Sequence, residues 1–293
     1  MKHLSLSSPA KLNLVLDVLG KRSDGFHELC TIFERIDLED TIRLTDRTDG
    51  KVKVLCAHPH VPKGPTNLVV KVAKQLKQSL RVNNGVTIEI KKRIPVAAGL
   101  AGGSSNAATV LVGLNRLWSL GLSQEQLVKH AAAIGSDVAF FIYDTPYALG
   151  TGRGEQIKVL PLRTKLWHVL VTPRVKMLTK DVFKALNSRP AAGKNRLTYA
   201  RDNVNILLPF LREGKLVQIG RSLSNDLEPA ILSLRPDFGI LKKKLSIAKP
   251  LGVCFSGSGP SVYALASSKA HAEAIKAVFD KRFTQAYIVS TLL

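Results

Sequence analysis

Four groups of residues in this chain have types and spacings that bear on chemistry. The first is Pro95 to Ala107, Pro-Val-Ala-Ala-Gly-Leu-Ala-Gly-Gly-Ser-Ser-Asn-Ala, in which Gly99, Gly102 and Gly103 stand among small side chains and lead to the hydroxyls of Ser104 and Ser105. In such a stretch backbone N–H groups can converge on an anion with no side chain in the way, as in a phosphate cradle. It contains neither Gly-x-x-x-x-Gly-Lys-Ser/Thr nor Gly-x-Gly-x-x-Gly, so it is neither of the two commonest nucleotide loops. A tight strand-to-helix turn has the same composition. The second group is Lys11 and Asn13, two polar residues one strand period apart, which therefore point the same way. The third is Asp137, set between a helix stop and the apolar run Val138-Ala139-Phe140-Phe141, where an aspartate often serves as an N-cap. The fourth is Phe26-His27, which the turn signal Asp24-Gly25 presents at the end of a hairpin.

The elements that position these groups follow from periodicity. Residues 9 to 18 alternate, with Leu12, Leu14, Leu16 and Val18 on one face and Lys11, Asn13 and Asp17 on the other, so the polar face either lines a cleft or is the solvated side of an edge strand. Strands are expected near 29–36, 41–45, 51–56 and 86–90. A helix is expected from Leu68 to about Leu80, with Asn67 as N-cap and Leu68, Val72, Ala73, Leu76 and Leu80 as its buried stripe. After the glycine-rich loop, Ala107, Val110, Leu111, Leu114, Leu117 and Trp118 repeat at three and four residues, so a helix begins near Ser104 with its positive dipole end toward the loop. Ser123-Gln124-Glu125-Gln126 is a capping box for a helix that closes at Gly135. If any of Ala97, Ala98 and Ala101 needed a positive φ, alanine would cost about 1 kcal/mol, so all three are expected in right-handed or extended conformations.

A second region begins near Pro161. Gly150 to Glu155 forms a glycine-rich hairpin, a strand runs from Trp167 to Val171, and a short helix spans Thr179 to Leu186. The strand Val253–Phe255, the loop Ser256-Gly257-Ser258-Gly259-Pro260-Ser261, the strand Val262–Leu265, a helix near 270–279 and the strand Ala286–Val289 make a run typical of a ferredoxin-like half.

Composition narrows the classes. The chain is 45% hydrophobic and 22% charged, which suits a globular protein with a sizeable core. No apolar run reaches the length of a membrane span, and the first apolar stretch is broken by Lys11, Asn13 and Asp17, so a cytosolic (cytoplasmic) protein with no membrane partner is expected. Cys30, Cys56 and Cys254 are too few and too scattered for a disulfide framework or a thiolate metal site. The formal net charge of +21 invites a polyanionic partner. The lysines and arginines are scattered, however, and the longest runs, Lys91-Lys92-Arg93 and Lys242-Lys243-Lys244, have no RNA-binding aromatic signature beside them, which argues against nucleic acid.

The glycine-rich loop resembles the second motif of the GHMP small-molecule kinases, Pro-x-x-x-Gly-Leu-x-x-Ser-Ser, here Pro95, Gly99, Leu100, Ser104 and Ser105. Residues 9–14, Pro-Ala-Lys-Leu-Asn-Leu, are similar to the first motif and residues 256–261 to the third. The three stand in the family order, and the resemblance covers nearly the whole chain. It implies an α+β, two-domain GHMP kinase fold, with an N-terminal ribosomal-protein-S5-domain-2-like domain over 1–160 that binds ATP and a C-terminal ferredoxin-like domain over 161–293. Within the family, Gly20 to His27 matches the branch that transfers the γ-phosphoryl group of ATP to the 2-hydroxyl of 4-diphosphocytidyl-2-C-methyl-D-erythritol, in the non-mevalonate (methylerythritol phosphate) route of isoprenoid biosynthesis.

For this chain the resemblance implies the following roles. Asp137 is the catalytic base and Lys11 holds it charged and stabilises the developing charge, while Asn13 orients the substrate hydroxyl. Phe26, which replaces a tyrosine, stacks on cytosine with Phe183, and His27 helps hold the ring. The stretch Pro95, Val96, Ala97, Ala98, Gly99, Leu100, Ala101, Gly102, Gly103, Ser104 and Ser105 takes the phosphates, and Asn67 and Lys92 contact adenine. Mg²⁺ is expected with ATP, either Ser104 or Ser105 reaching the phosphates or the metal, and the metal ligand itself is left open. Ser136 and Ala139 depart from the family consensus around Asp137. Asn225-Asp226-Leu227-Glu228 matches a further signature whose expected role is to cap the next segment. Other GHMP kinases, acting on homoserine, mevalonate or a sugar, and a basic RNA-binding protein are the competing readings. The protein is expected as a monomer or homodimer.

Overall fold

The computed structural model describes residues 2–188, 202–279 and 284–293. Two long strands open the chain, β1 (His3–Lys21) and β2 (His27–Arg47). β1 is buried at every residue from Ser8 to Val18, with Lys11 at 4% and Asn13 at 2% exposure. Its polar face is therefore interior, and the solvated-edge alternative does not apply. β2 runs unbroken through the two strands expected at 29–36 and 41–45. Leu38, Asp40, Ile42 and Leu44 are all buried and keep a single period across the expected gap.

By contacts the chain forms two compact units that are not consecutive in sequence. One comprises 1–10, 38–96 and 101–144; the other comprises 11–37, 97–100 and 145–293. In the first unit, β3 (Val52–Leu55) pairs in parallel with β4 (Gly85–Lys91), and α1 (Leu68–Ser79) makes the crossover that parallel pairing requires. β4 also pairs antiparallel with residues 41–47 of β2. Asn67 caps α1, its side chain accepting from Val69 N at 3.1 Å. The buried face is Val69, Val70, Val72, Ala73 and Leu76. Leu68 and Leu80 are not part of it, because the helix ends at Ser79 and Leu80 lies beyond its last turn. Then come α2 (Gly102–Leu117), α3 (Gln124–Ile134) and a 3₁₀ helix (Ser136–Ile142).

In the second unit, β5 (Tyr147–Gly152) and β6 (Gln156–Leu160) form the expected hairpin, and β5 pairs antiparallel with residues 29–34 of β2. There follow β7 (Trp167–Pro173), α4 (Thr179–Asn187), α5 (Asp202–Glu213), α6 (Leu216–Ser222), β8 (Ser224–Asn225), α7 (Glu228–Leu234) and α8 (Asp237–Ile247). The chain ends with β9 (Gly252–Phe255), β10 (Val262–Ala266), α9 (Lys269–Ala277) and β11 (Thr284–Ser290). The sheet order β11-β7-β10-β9, antiparallel throughout, places the last and third strands on either side of the first. That is the ferredoxin-like order. Val169, Val171, Phe255, Val262 and Ala264 from this sheet pack with Phe238, Leu245 and Ile231 from its helices.

The capping box at α3 is formed in full, Ser123 Oγ accepting from Gln126 N while the Gln126 side chain accepts from Ser123 N. Ser123→Ala is expected to cost about 1 kcal/mol, measurable as a lower urea midpoint with the slope unchanged.

Candidate active site

The glycine-rich loop joins β4 to α2, and its backbone is more strained than its sequence suggests. Ala97, Gly99 and Ala101 have φ of 55°, 75° and 53°. The expectation of right-handed or extended backbone is thus met at Ala98 and overturned at Ala97 and Ala101. The loop alternates left-handed residues to compress its turn, and Ala101 adopts that conformation where it serves as the N-cap of α2. No side chain caps this helix. Its first N–H groups are therefore left for another acceptor, at the end of the helix whose dipole attracts anions. Left-handed alanine costs about 1–2 kcal/mol per residue and survives where surrounding contacts over-determine it.

Those contacts are specific. Within the first unit Ser105 is fully buried, its hydroxyl 2.8 Å from that of Ser8. Ser104, its neighbour, is half-buried. Lys92 is buried and paired with the buried carboxylate of Asp40. Both ends of the Asn67 amide are also engaged, Nδ2 donating to Pro62 O at 2.6 Å while Oδ1 caps α1.

Within the second unit, Lys11 N donates to Leu100 O at 3.2 Å, so β1 touches the loop through its backbone. Lys11 Nζ donates to Asn13 Oδ1 at 2.5 Å, Asn13 Nδ2 donates to Thr31 Oγ1 at 2.7 Å, and Tyr263 Oη donates to Asn13 O at 2.8 Å. Asn13 is locked on three sides and orients the Lys11 ammonium. The loop from 256 to 261 packs on the same loop segment. Ser256 Oγ donates to Gly99 O at 2.9 Å, and a Cβ at Gly99 would lie 2.1 Å from Ser256 O. A Cβ at Gly257 would meet Gly99 O, Lys11 Nζ and Asn13 Oδ1 at 3.3–3.4 Å, so this approach needs glycine on both sides. Asn225 does not cap α7 as expected, since the N-cap position of that helix is Leu227 and no side chain makes a capping bond. Its Nδ2 donates to Phe255 O and Gly257 O at 3.0 and 2.8 Å while its Oδ1 accepts from Leu227 N, pinning the 256–261 loop from below.

Asp137 lies in the first turn of the 3₁₀ helix, half-buried. The N-cap position is Gly135, and no side chain makes a capping bond, so Asp137 is not a cap. Val138, Ala139, Phe140 and Ile142 are buried and fix this helix in place.

The aromatic candidates also belong to the second unit. Phe26 sits at the β1–β2 turn, 53% exposed, so it is not a core residue. The Arg153 guanidinium lies 4.9 Å from its ring centre. His27 and Phe183 stack with centroids 4.7 Å apart, and His27 Nε2 donates to Asn187 Oδ1 at 2.8 Å. Phe183 is only partly buried and also touches the core of this unit.

The GHMP kinases N terminal domain matches residues 67–145, and the GHMP kinases C terminal domain matches 207–285. The 4-diphosphocytidyl-2-C-methyl-D-erythritol kinase of Bacillus mycoides (strain KBAB4) is 41% identical over 262 residues, which are 89% of this chain and 88% of that protein. The chain belongs to the GHMP kinase family. The Bacillus anthracis protein of the same name is 40% identical over the same share of both chains. A solved 4-(cytidine 5'-diphospho)-2C-methyl-D-erythritol kinase superposes with a TM-score of 0.78 at 29% identity over 98% of each chain. Homoserine kinase from Cytophaga hutchinsonii superposes with a TM-score of 0.80 at 24% identity, covering 100% of this chain and 96% of that one, which is a likeness of fold alone.

Against this GHMP framework, Thr31, Asp40, Arg153 and Tyr263 are contributors that the motifs do not name, and Asn225 is one whose signature named the residue but not its partners. Asp40 carried a signal, since its strand neighbours Leu38 and Ile42 are apolar and mark its register as inward. The others are brought in by pairings remote in sequence. Ala97→Gly and Ala101→Gly are each expected to stabilise by about 0.5–1 kcal/mol, left-handed strain being released against a larger unfolded-state entropy. Gly99→Ala is expected to cost well over 1 kcal/mol, because it adds both strain and the clash with Ser256 O. Thermal unfolding of the three variants checks the opposite signs.

Proposed function

We propose that the protein phosphorylates the 2-hydroxyl of 4-diphosphocytidyl-2-C-methyl-D-erythritol with ATP, releasing ADP. The observation that carries the choice of substrate is the exposed Phe26, next in sequence to the His27 that stacks on Phe183. An exposed aromatic ring and a stacked histidine are suited to a flat heterocycle, which homoserine and mevalonate lack. Similarity along almost the full chain to kinases of that name supports the same reading.

Phosphoryl transfer goes through a loose transition state, so the protein mainly aligns two oxygens and neutralises charge. The N–H groups of residues 99–104 take the β- and γ-phosphates at the uncapped end of α2, the Ser105 N–H being bonded to Ala101 O at 2.9 Å. Asn67 and Lys92, whose polar ends are committed internally, bound the adenine end by shape rather than by new hydrogen bonds. Asp137 accepts the proton of the substrate hydroxyl, and Lys11, held by Asn13, stabilises the charge that develops on it. Asn13 keeps one lone pair of Oδ1 for that hydroxyl. Among the described residues no cluster of three His, Cys, Asp or Glu side chains could hold a metal. Mg²⁺ needs no such cluster when ATP supplies its oxygens, and the Ser104 hydroxyl has the right hard-oxygen chemistry to meet it. Bound with ATP, the ion would offset phosphate charge. Phe26 and Phe183 take the cytosine faces and His27 its edge. We put the boundary between the ATP-binding domain and the ferredoxin-like domain near 160/161, a division by family resemblance that differs from the two contact units. Among the described residues no helix is long and apolar enough to cross a membrane.

ADP release with the diphosphocytidyl substrate should exceed that with homoserine or mevalonate by orders of magnitude, and equal rates would remove the substrate assignment. Asp137→Asn is expected to lose at least about 100-fold in kcat while nucleotide binding persists. Phe26→Ala is expected to raise KM for the cytidyl substrate by about one to two decades with KM for ATP unchanged, stacking being worth about 1–3 kcal/mol per base.

A further inference from the structure

Asp40 is fully buried and makes four hydrogen bonds, all within the first unit. Oδ1 accepts from Arg93 N at 2.7 Å and from Ile94 N at 2.9 Å, the two residues just before the loop. Oδ2 accepts from Asn106 Nδ2 at 2.9 Å, the fifth residue of α2, and pairs with Lys92 Nζ. The same Asn106 amide donates to Ser8 Oγ at 2.9 Å, which meets Ser105 Oγ. A Cβ on Gly102 would lie 3.2 Å from Lys92 Nζ, so the paired ammonium sits directly under the start of α2. Replacing such a buried pair with apolar residues is often neutral or stabilising, so stability alone does not account for it.

We propose that Asp40 is the positioning residue of the ATP-phosphate loop. One carboxylate ties residues 92–94, just after β4, to Asn106 near the start of α2 and so fixes the span that residues 95–101 must bridge. With that span fixed, the left-handed Ala97, Gly99 and Ala101 are held in place and the N–H groups of α2 stay convergent. The Lys92 charge, neutralised by Asp40, is thereby kept from repelling the helix dipole. The inference rests on the kinase reading only in that the loop binds ATP.

The test is direct binding of a fluorescent ATP analogue, together with KM for each substrate and thermal unfolding, for Asp40→Asn, Asn106→Ala and Asp37→Asn. Asp37 is the comparison because its carboxylate accepts two hydrogen bonds from Ser290, away from the loop. Asp40→Asn is expected to weaken nucleotide binding at least tenfold, and Asn106→Ala at least threefold, with KM for the cytidyl substrate within twofold of the parent. Asp37→Asn is expected to lower the unfolding temperature while leaving nucleotide affinity within twofold. Should Asp40→Asn not fold, Asn106→Ala decides. Nucleotide affinity within twofold of the parent in the loop variants, or an equal loss in Asp37→Asn, overturns the proposal. A parent protein that binds no nucleotide overturns the kinase reading instead.

Discussion

The structure depends on holding a short run of bare backbone in a conformation that it would not keep by itself. Three of the five residues from Ala97 to Ala101 have left-handed φ, and two of those are alanines. An unsupported loop would relax from that state, because each such alanine lies about 1–2 kcal/mol above its right-handed form. It is kept by contacts that reach it from several strands. Lys11 N bonds to Leu100 O, and the Ser256 hydroxyl bonds to Gly99 O. Asp40 receives the N–H groups of Arg93 and Ile94, where the loop begins. What this secures is a helix start free of any side-chain cap.

The same economy governs the polar side chains. β1 is buried on both faces, yet it carries Lys11, Asn13 and Asp17 into the interior. Charged and amide groups are tolerated there only when each finds a partner. Asn13 meets that condition by giving its donor to Thr31 and its acceptor to Lys11, with its carbonyl taken by Tyr263. A lysine so constrained has lost its rotamer freedom before any ligand arrives, which is the state that the charge stabilisation proposed for it requires. Cys254, by contrast, is simply buried, and burial pushes its thiol up to about 12, so it contributes packing and no chemistry.

Much of this was legible in the sequence, and the boundary of legibility has a physical basis. Helix caps, the hairpin at Gly150–Glu155 and the ferredoxin-like run are written in local spacing, and Asn67, Ser123 and Gly135 cap where their types say they should. The glycine-rich loop was visible as a loop, but its dihedral angles were not. Alanine composition argued for relaxed backbone, and tertiary contacts overrode that preference. The fusion of two expected strands into β2 has a similar origin, since pairing with β5 at one end and β4 at the other outweighs the charged residues between them. Asp40 and Asn225 are separated by 66 or fewer and by about 30 residues respectively from the groups they hold. Nothing in their immediate neighbourhoods names those partners.

Amide hydrogen exchange of the protein with and without a non-hydrolysable ATP analogue and Mg²⁺ tests the account at its centre. Slower exchange is expected at residues 99–104, the backbone that would receive the terminal phosphates. Unchanged exchange across 99–104 in a protein saturated with the analogue, with protection confined to other segments, would contradict it.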